Sequence, residues 1–301
     1  MAKINYGKYM VTKPAYEIGG GVKGRQSPVM TYMSNRLVPG CNKYVELGWI
    51  YAMPEPNPHI SEHTHDYDEI VLHLGGDPAN PQALGAEIEY YVGGQPLTFD
   101  TTTALYIPRG MRHGPVTWKK FKKPHIAMSI ILGPESTGES WSGKPQKGLP
   151  QKKDRVDYEK YLVRKPDYLG GTEVTDALKS PTQIYMSSEL VPECNVYIDF
   201  GWVCDLPDPN PPIPDHEHGY EEVVMFIGGD PDNPEDLGAE IEFCINGQPL
   251  TFDTTTAVYI TKGIKHGPLT WKKLDRPHLL MPIIIGAGTL AEAAPAGYKG
   301  K

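Results

Sequence analysis

The strongest constraint on this chain is that it is written twice. LVPGCNKYVELGW at 37–49 returns as LVPECNVYIDFGW at 190–202. GGDPANPQALGAEIEYYVGGQPLTFDTTTALYI at 75–107 returns as GGDPDNPEDLGAEIEFCINGQPLTFDTTTAVYI at 228–260. The register shift stays at 153 residues over 29–133 without a gap, and roughly 60 of about 105 aligned positions are identical. Whatever one half folds into, the other half must fold into as well. The 301 residues therefore divide into two domains of ordinary size rather than one large one. The expected boundaries are 1–133 and 156–286. They are joined by PESTGESWSGKPQKGLPQKKDR at 134–155, a Gly-, Pro-, Ser- and Lys-rich stretch that reads as a linker. The small, polar tail at 287–301 reads as a peripheral extension.

Within each copy the signals are those of strands. Residues 44–51 mix aromatic and β-branched types, and 69–74 form a short apolar run ending at Gly75-Gly76. Further strands are expected at 97–100 and 104–107. Asn57-Pro58, Gly75-Gly76-Asp77-Pro78 and Gly93-Gly94 break the chain at short intervals, as in a sandwich or barrel. Glycine (32) and proline (30) are both abundant, and helix-period stretches are hard to find. The fold class is all-β.

Composition narrows the partners. A net charge of -8 argues against nucleic acid, which needs a basic face. No stretch approaches the roughly 20 apolar residues that cross a bilayer. MAKINYGKYM has no apolar core of leader type, and Cys41, Cys194, Cys204 and Cys244 form no CxxC pair or dense framework. These features predict a cytoplasmic protein with small, buried, unbridged cysteines.

The chemistry sits in one constellation, present in both copies. His63, His65 and Glu69 fall in HTHDYDE, and His113 closes PRGMRH about forty residues later. On a strand, residues two apart face the same way, so His63 and His65 are expected to point together into one cavity. Glu69 is expected at the start of the next strand. The proline–glycine turn before His113 can bring a distant strand to the same point. Three imidazoles and one carboxylate suit divalent manganese, iron, nickel, cobalt or zinc, with one or two coordination positions left for water or substrate. His216, His218 and Glu222 in HEHGYEE, with His266 closing TKGIKH, repeat the set. Six of the ten histidines in the chain fall in these two sets, in register.

HTHDYDE with PRGMRH, and HEHGYEE with TKGIKH, resemble the two motifs of the cupin superfamily, here as a duplicated cupin or bicupin. The resemblance covers almost the whole chain outside the linker and tail. It implies two tandem jelly-roll barrels, each of six to eight antiparallel strands. It implies one divalent transition metal per barrel, held by His63, His65, Glu69 and His113 and by His216, His218, Glu222 and His266. Further assembly into a homo-oligomer is in keeping with such proteins. Two features depart from the pattern. Thr261 stands where the second motif usually has proline, and three residues separate the HxH pair from the glutamate where many oxalate decarboxylases and germins have four.

The copies differ around these ligands. If Glu69 faces inward, strand alternation turns Val71 and His73 inward too; the matching set is Glu222, Val224 and Phe226. His59 is likewise replaced by Pro212. A histidine titrates near neutrality and can move protons, so His73 is the expected catalytic residue and the first site the reactive one. His125 and His278 are expected to be structural, and one glutamate of each GAEIE pair (Glu87 and Glu89, Glu240 and Glu242) is expected to face inward. Trp49, Trp202, Tyr44 and Tyr197 read as barrel core, and the pairs Lys119-Lys120 and Lys272-Lys273 as solvated faces.

The expected activity is that of a metal-dependent enzyme on a small chelating molecule, such as a β-dicarbonyl, enediol, hydroxy acid or phenol. With iron, nickel or copper, dioxygen can split a carbon–carbon bond, and resemblance to bicupin dioxygenases favours this branch slightly. With manganese or zinc, an oxygen-independent hydrolase, decarboxylase or isomerase is the alternative, for instance opening a cyclic diketone. A metal- or small-molecule-binding cupin without catalysis is the third reading.

Overall fold

The computed structural model describes residues 4–16, 21–133, 157–168, 182–289 and 292; the expected linker at 134–155 lies outside the described residues. Among them the chain is built almost wholly of strands. These run β1 (Met10–Val11), β2 (Lys23–Arg25), β3 (Met30–Met33), β4 (Lys43–Glu55), β5 (Asp68–Gly75), β6 (Ala83–Val92) and β7 (Gln95–Thr101). They continue β8 (Thr103–Ile107), β9 (His113–Phe121), β10 (His125–Leu132), β11 (Leu162–Val163), β12 (Asp167–Tyr168) and β13 (Gln183–Met186). The series ends with β14 (Val196–Val203), β15 (Glu221–Gly228), β16 (Asp236–Ile245), β17 (Gln248–Thr254), β18 (Thr256–Ile260), β19 (His266–Leu274) and β20 (His278–Ile285).

The first barrel is the compact unit Pro14–Lys165, and the second takes its described residues from Met1–Lys13 and Pro166–Lys301. In the first, the larger sheet runs β11-β8-β5-β10-β4-β2, with β3 also on β4, and a three-stranded sheet runs β7-β6-β9. In the second, the order is β1-β18-β15-β20-β14-β13-β12, with β17-β16-β19 as the smaller sheet. Contacts of β4 with β9 and of β5 with β6 close the two sheets of the first barrel around one interior. Every paired strand is antiparallel, as jelly-roll barrels require.

These units differ from the boundaries drawn in chain order. β1 pairs with β18, Met10 opposite Val258, so the first arm of the chain belongs to the second barrel. β11 pairs with β8, Leu162 opposite Leu105, so the arm that opens the second copy belongs to the first barrel. The same contacts fix both arms. The Tyr6 amide donates to Gln248 Oε1 at 3.0 Å, and the Tyr158 amide donates to Gln95 Oε1 at 3.1 Å. Each arm covers a fully buried strand that would otherwise be an unpaired sheet edge.

β6 alternates strictly, with Leu84, Ala86, Ile88, Tyr90 and Val92 buried. Glu87 and Glu89 therefore share the outer face, where Lys120 and Lys119 pair with them at 2.5 and 2.8 Å. The expectation that one of them turns inward fails because residues two apart on a strand cannot face opposite ways. Trp49, Trp202, Tyr44 and Tyr197 are buried core residues. His125 and His278 open β10 and β20 and accept the indole N–H of Trp118 and Trp271, each at 3.1 Å. None of the four cysteines is in a disulfide; Cys41 and Cys194 are buried, whereas Cys204 and Cys244 are partly exposed rather than buried. No helix among the described residues is long and apolar enough to cross a membrane.

Candidate metal centre

His63 and His65 do not lie on a regular strand. His63 instead forms an isolated bridge to His113, its amide donating to the His113 carbonyl at 2.9 Å and its carbonyl accepting from the His113 amide at 3.0 Å. That bridge sets the two imidazoles side by side, with ring centroids 4.1 Å apart. It also brings residue 114 against the backbone of residue 61. A side chain at Gly114 would place its Cβ 2.7 Å from the Ser61 carbonyl oxygen, so only glycine fits. His216, His266, Gly267 and Pro214 repeat the device, with a Cβ at Gly267 falling 2.4 Å from the Pro214 oxygen.

The turn before each last histidine is held by a glycine amide. Gly110 donates to the His65 carbonyl at 2.7 Å, and Gly263 to the His218 carbonyl at 2.9 Å. The turn in the second barrel thus forms without a proline at Thr261. Glu69 and Glu222 are the second residues of β5 and β15, and both are buried.

In each barrel the three imidazole ligand atoms lie within 4.8 Å of one another. All six Nδ1 atoms face backbone carbonyls two residues away. The partners are Ser61, Tyr67 and Met111, each at 2.9 Å, in the first barrel. In the second they are Pro214 at 2.9 Å, Tyr220 at 3.1 Å and Ile264 at 2.8 Å. A carbonyl only accepts, so the proton sits on Nδ1 and the Nε2 lone pair is turned inward, the tautomer a metal ligand needs. Tyr67 stacks on His65 at 4.0 Å and Tyr220 on His218 at 3.8 Å, fixing those rings further.

Glu69 Oε2 lies 3.1 Å from His65 Nε2 and 3.3 Å from His113 Nε2. Glu222 Oε2 lies 3.0 and 3.4 Å from the matching atoms of His218 and His266. Burial raises the affinity of Glu69 for a proton, but protons carried on the inward nitrogens of His113 and His65 outweigh it and hold the carboxyl well below its usual range; a cation at that point would take the place of those protons and leave the Nε2 lone pairs as ligands. The same opposition sets Glu222 at about 2. The Nε2 atoms of His113 and His266 are buried without a hydrogen-bond partner. Lone pairs and a carboxylate oxygen converging on one buried point are satisfied by a cation placed among them. The N3O donor sets fit a divalent first-row transition metal.

Around this common core the barrels diverge. The first encloses a cavity of about 350 Å³ that reaches from His63, His65 and Glu69 past Arg25, Glu46, His59, His73, Tyr90 and Ser129. In the second, the positions of His73, Tyr90, Ala127 and Ser129 hold Phe226, Phe243, Leu280 and Pro282. Phe226, Phe243 and Leu280 join Val224, Leu269 and Trp271 in one buried apolar cluster. Phe226 packs on Phe252 at 4.9 Å. The first interior sets several polar side chains among apolar walls, where the second has apolar side chains at the matching positions.

His73 lines the cavity, as alternation on β5 predicts, with its Nδ1 buried and without a partner. Burial, then His125, His59 and Arg25, hold it far below the usual histidine range. It is therefore a neutral imidazole near pH 7, not the group titrating near neutrality that the sequence suggests. Arg25, Glu46 and Ser129 were not singled out in the sequence. Ser129 and Glu46 can be found by comparing the copies, since Pro282 and Asp199 replace them. Arg25 lies upstream of the alignable repeat.

No protein-family model matches the sequence, and no curated protein matches it. Solved structures do match in fold. AerE from Microcystis aeruginosa superposes with a TM-score of 0.55 at 12% identity, over 92% of this chain and 99% of that one. A point mutant of Bacillus subtilis oxalate decarboxylase gives 0.54 at 11% identity, over 92% and 80%. YlbA from E. coli gives 0.51 at 9% identity, over 96% and 95%. The chain therefore has the fold of these proteins, two tandem cupin-type barrels, and each barrel carries three histidines placed so that they could hold a metal ion.

Proposed function

We propose that this bicupin is a metal-dependent enzyme whose reaction takes place in the first barrel, on a small oxygen-rich substrate able to chelate. The observation that carries the reading is the contrast between two equal donor sets, one opening on a cavity of about 350 Å³ into which Arg25, Glu46, His59 and His73 project, and the other with Phe226, Phe243 and Leu280 at the matching wall. His63, His65, Glu69 and His113 would hold a divalent metal, which would supply Lewis-acid polarisation of a substrate oxygen. The chain's own groups do the rest. Glu46, hydrogen-bonded by the Tyr44 hydroxyl at 2.9 Å, faces the cavity as a carboxylate able to take a proton. His73, neutral and with an unpartnered nitrogen, offers a hydrogen bond to a substrate oxygen.

This equipment favours oxygen-independent proton-transfer chemistry, either carbon–carbon cleavage in the manner of a diketone hydrolase or decarboxylase, or isomerisation without cleavage. Dioxygen chemistry, slightly preferred from the sequence resemblance, makes no use of Glu46 and His73 as proton-handling groups and is the second reading. The second barrel keeps its donor set for a metal that ties His216, His218, Glu222 and His266 together within the fold.

The test is turnover of a β-dicarbonyl and phenolic panel by anaerobically purified protein, with and without oxygen, alongside metal analysis. Turnover that ignores oxygen and falls with metal removal supports the proton-transfer reading. Oxygen-dependent turnover moves it to the dioxygenase branch, and none on any substrate, with both sites loaded, favours a binding protein.

A further inference from the structure

Arg25 ends β2, and its guanidinium enters the cavity of the first barrel. Its Nη1 lies 2.9 Å from His59 Nε2. A guanidinium only donates, so His59 Nε2 is the acceptor and its proton is on Nδ1. That Nδ1 is itself buried with no hydrogen-bond partner. His59 stacks on Trp118 at 5.0 Å, which holds the ring that holds the arginine. Among the described residues no carboxylate stands within ion-pair distance of Arg25. Glu46 acts on it only through its field, while burial works against its charge. A half-buried guanidinium that spends one donor on His59, next to the buried and unpartnered Nδ1 of that ring, is a place for an anion.

The fork of a guanidinium matches the two oxygens of a carboxylate. A dianionic phosphate would meet the opposing charge of Glu46, so a singly charged group suits the cavity better. The second barrel has Pro212 at the position of His59 and cannot repeat the clamp. We propose that Arg25, oriented by His59, binds a carboxylate of the substrate. The substrate is then a small carboxylic acid whose oxygen-bearing end faces His63, His65, Glu69 and His113. This rests on the reading of the first barrel as the reaction chamber and names the class of molecule it takes.

Two β-diketones that differ by a carboxylate arm test it: acetylacetone and 4,6-dioxoheptanoate. Calorimetry on the manganese-loaded chain should show the carboxylate probe binding about ten-fold tighter or more, the size expected for hydrogen bonds to a charged group. Arg25→Gln should erase that preference while leaving acetylacetone affinity and the metal content of both sites unchanged. Arg25→Lys should keep part of it. Equal affinity of the two probes for the wild type, or a preference that survives in Arg25→Gln, overturns the proposal. The wild-type comparison decides even if the variants fold poorly. Repeating the titrations on metal-free protein separates the two claims. A preference that persists while neither affinity depends on metal would sink the chelating reading and leave the carboxylate site standing.

Discussion

The Ser129 hydroxyl donates to Glu69 Oε1 across 2.5 Å, leaving Oε2 turned toward His65 and His113. Proline at 282 gives Glu222 no such donor from the matching position. Groups that orient a ligand typically alter metal affinity by 10- to 100-fold. Ser129→Ala should therefore weaken metal at the first site by roughly ten-fold, with the second untouched, as read by chelator competition. Equal weakening at both sites would contradict the role given to Ser129.

His73→Phe imports the residue of the second barrel into the first. Both sites should keep their metal while turnover falls by roughly 10²-fold, the scale of a well-placed proton or hydrogen-bond partner. Because His73 is held far below the usual histidine range, its protonation should leave no step in the activity profile between pH 6 and 8. Such a step, lost in His73→Phe, would contradict the neutral imidazole.

Ala127→Leu copies Leu280 and should fill the cavity without touching a ligand. Substrate binding should fall by at least ten-fold while metal content stays whole, as measured by calorimetry with the β-diketone probes. Unchanged probe affinity would place the substrate elsewhere.

Much of this was legible in the sequence because duplication and ligand pattern are local signals. HTHDYDE and PRGMRH carry the donor set whatever the backbone does between them, so the wrong expectation of a strand at His63 and His65 did no harm. The arms were missed for a different reason. NYGKYMVTK at 5–13 and DYEKYLVRK at 157–165 are also a repeat, but its shift is 152, one short of the main register. Even when it is found, sequence alone assigns each arm to the copy it precedes; only the pairing of β1 with β18 and β11 with β8 reveals the exchange. The charge state of His73 was out of reach too, because it depends on His125, His59 and Arg25, which come together only in the fold.

His125 and His278 give the stability a pH dependence of defined sign. Burial holds both at about 4 in the folded chain, against 6.5 for the ordinary group. As pH falls from about 6.5 to about 4, the unfolded chain binds protons that the folded chain refuses, so stability drops across that window and not above it. Each group contributes a loss of about 3 kcal/mol. Thermal denaturation of His278→Gln should show a shallower fall over this range than the wild type; an identical slope would contradict the assignment.

The central claim is that two similar metal sites have unequal work, and paired ligand variants test it most directly. Metal content and turnover would be measured side by side for His63→Ala and His216→Ala. Each barrel supplies its own four ligands, so each variant should lose one metal and keep the other. His63→Ala should abolish turnover and His216→Ala should leave most of it. Loss of activity in His216→Ala with the first site still loaded, or survival of activity in His63→Ala, would contradict the account.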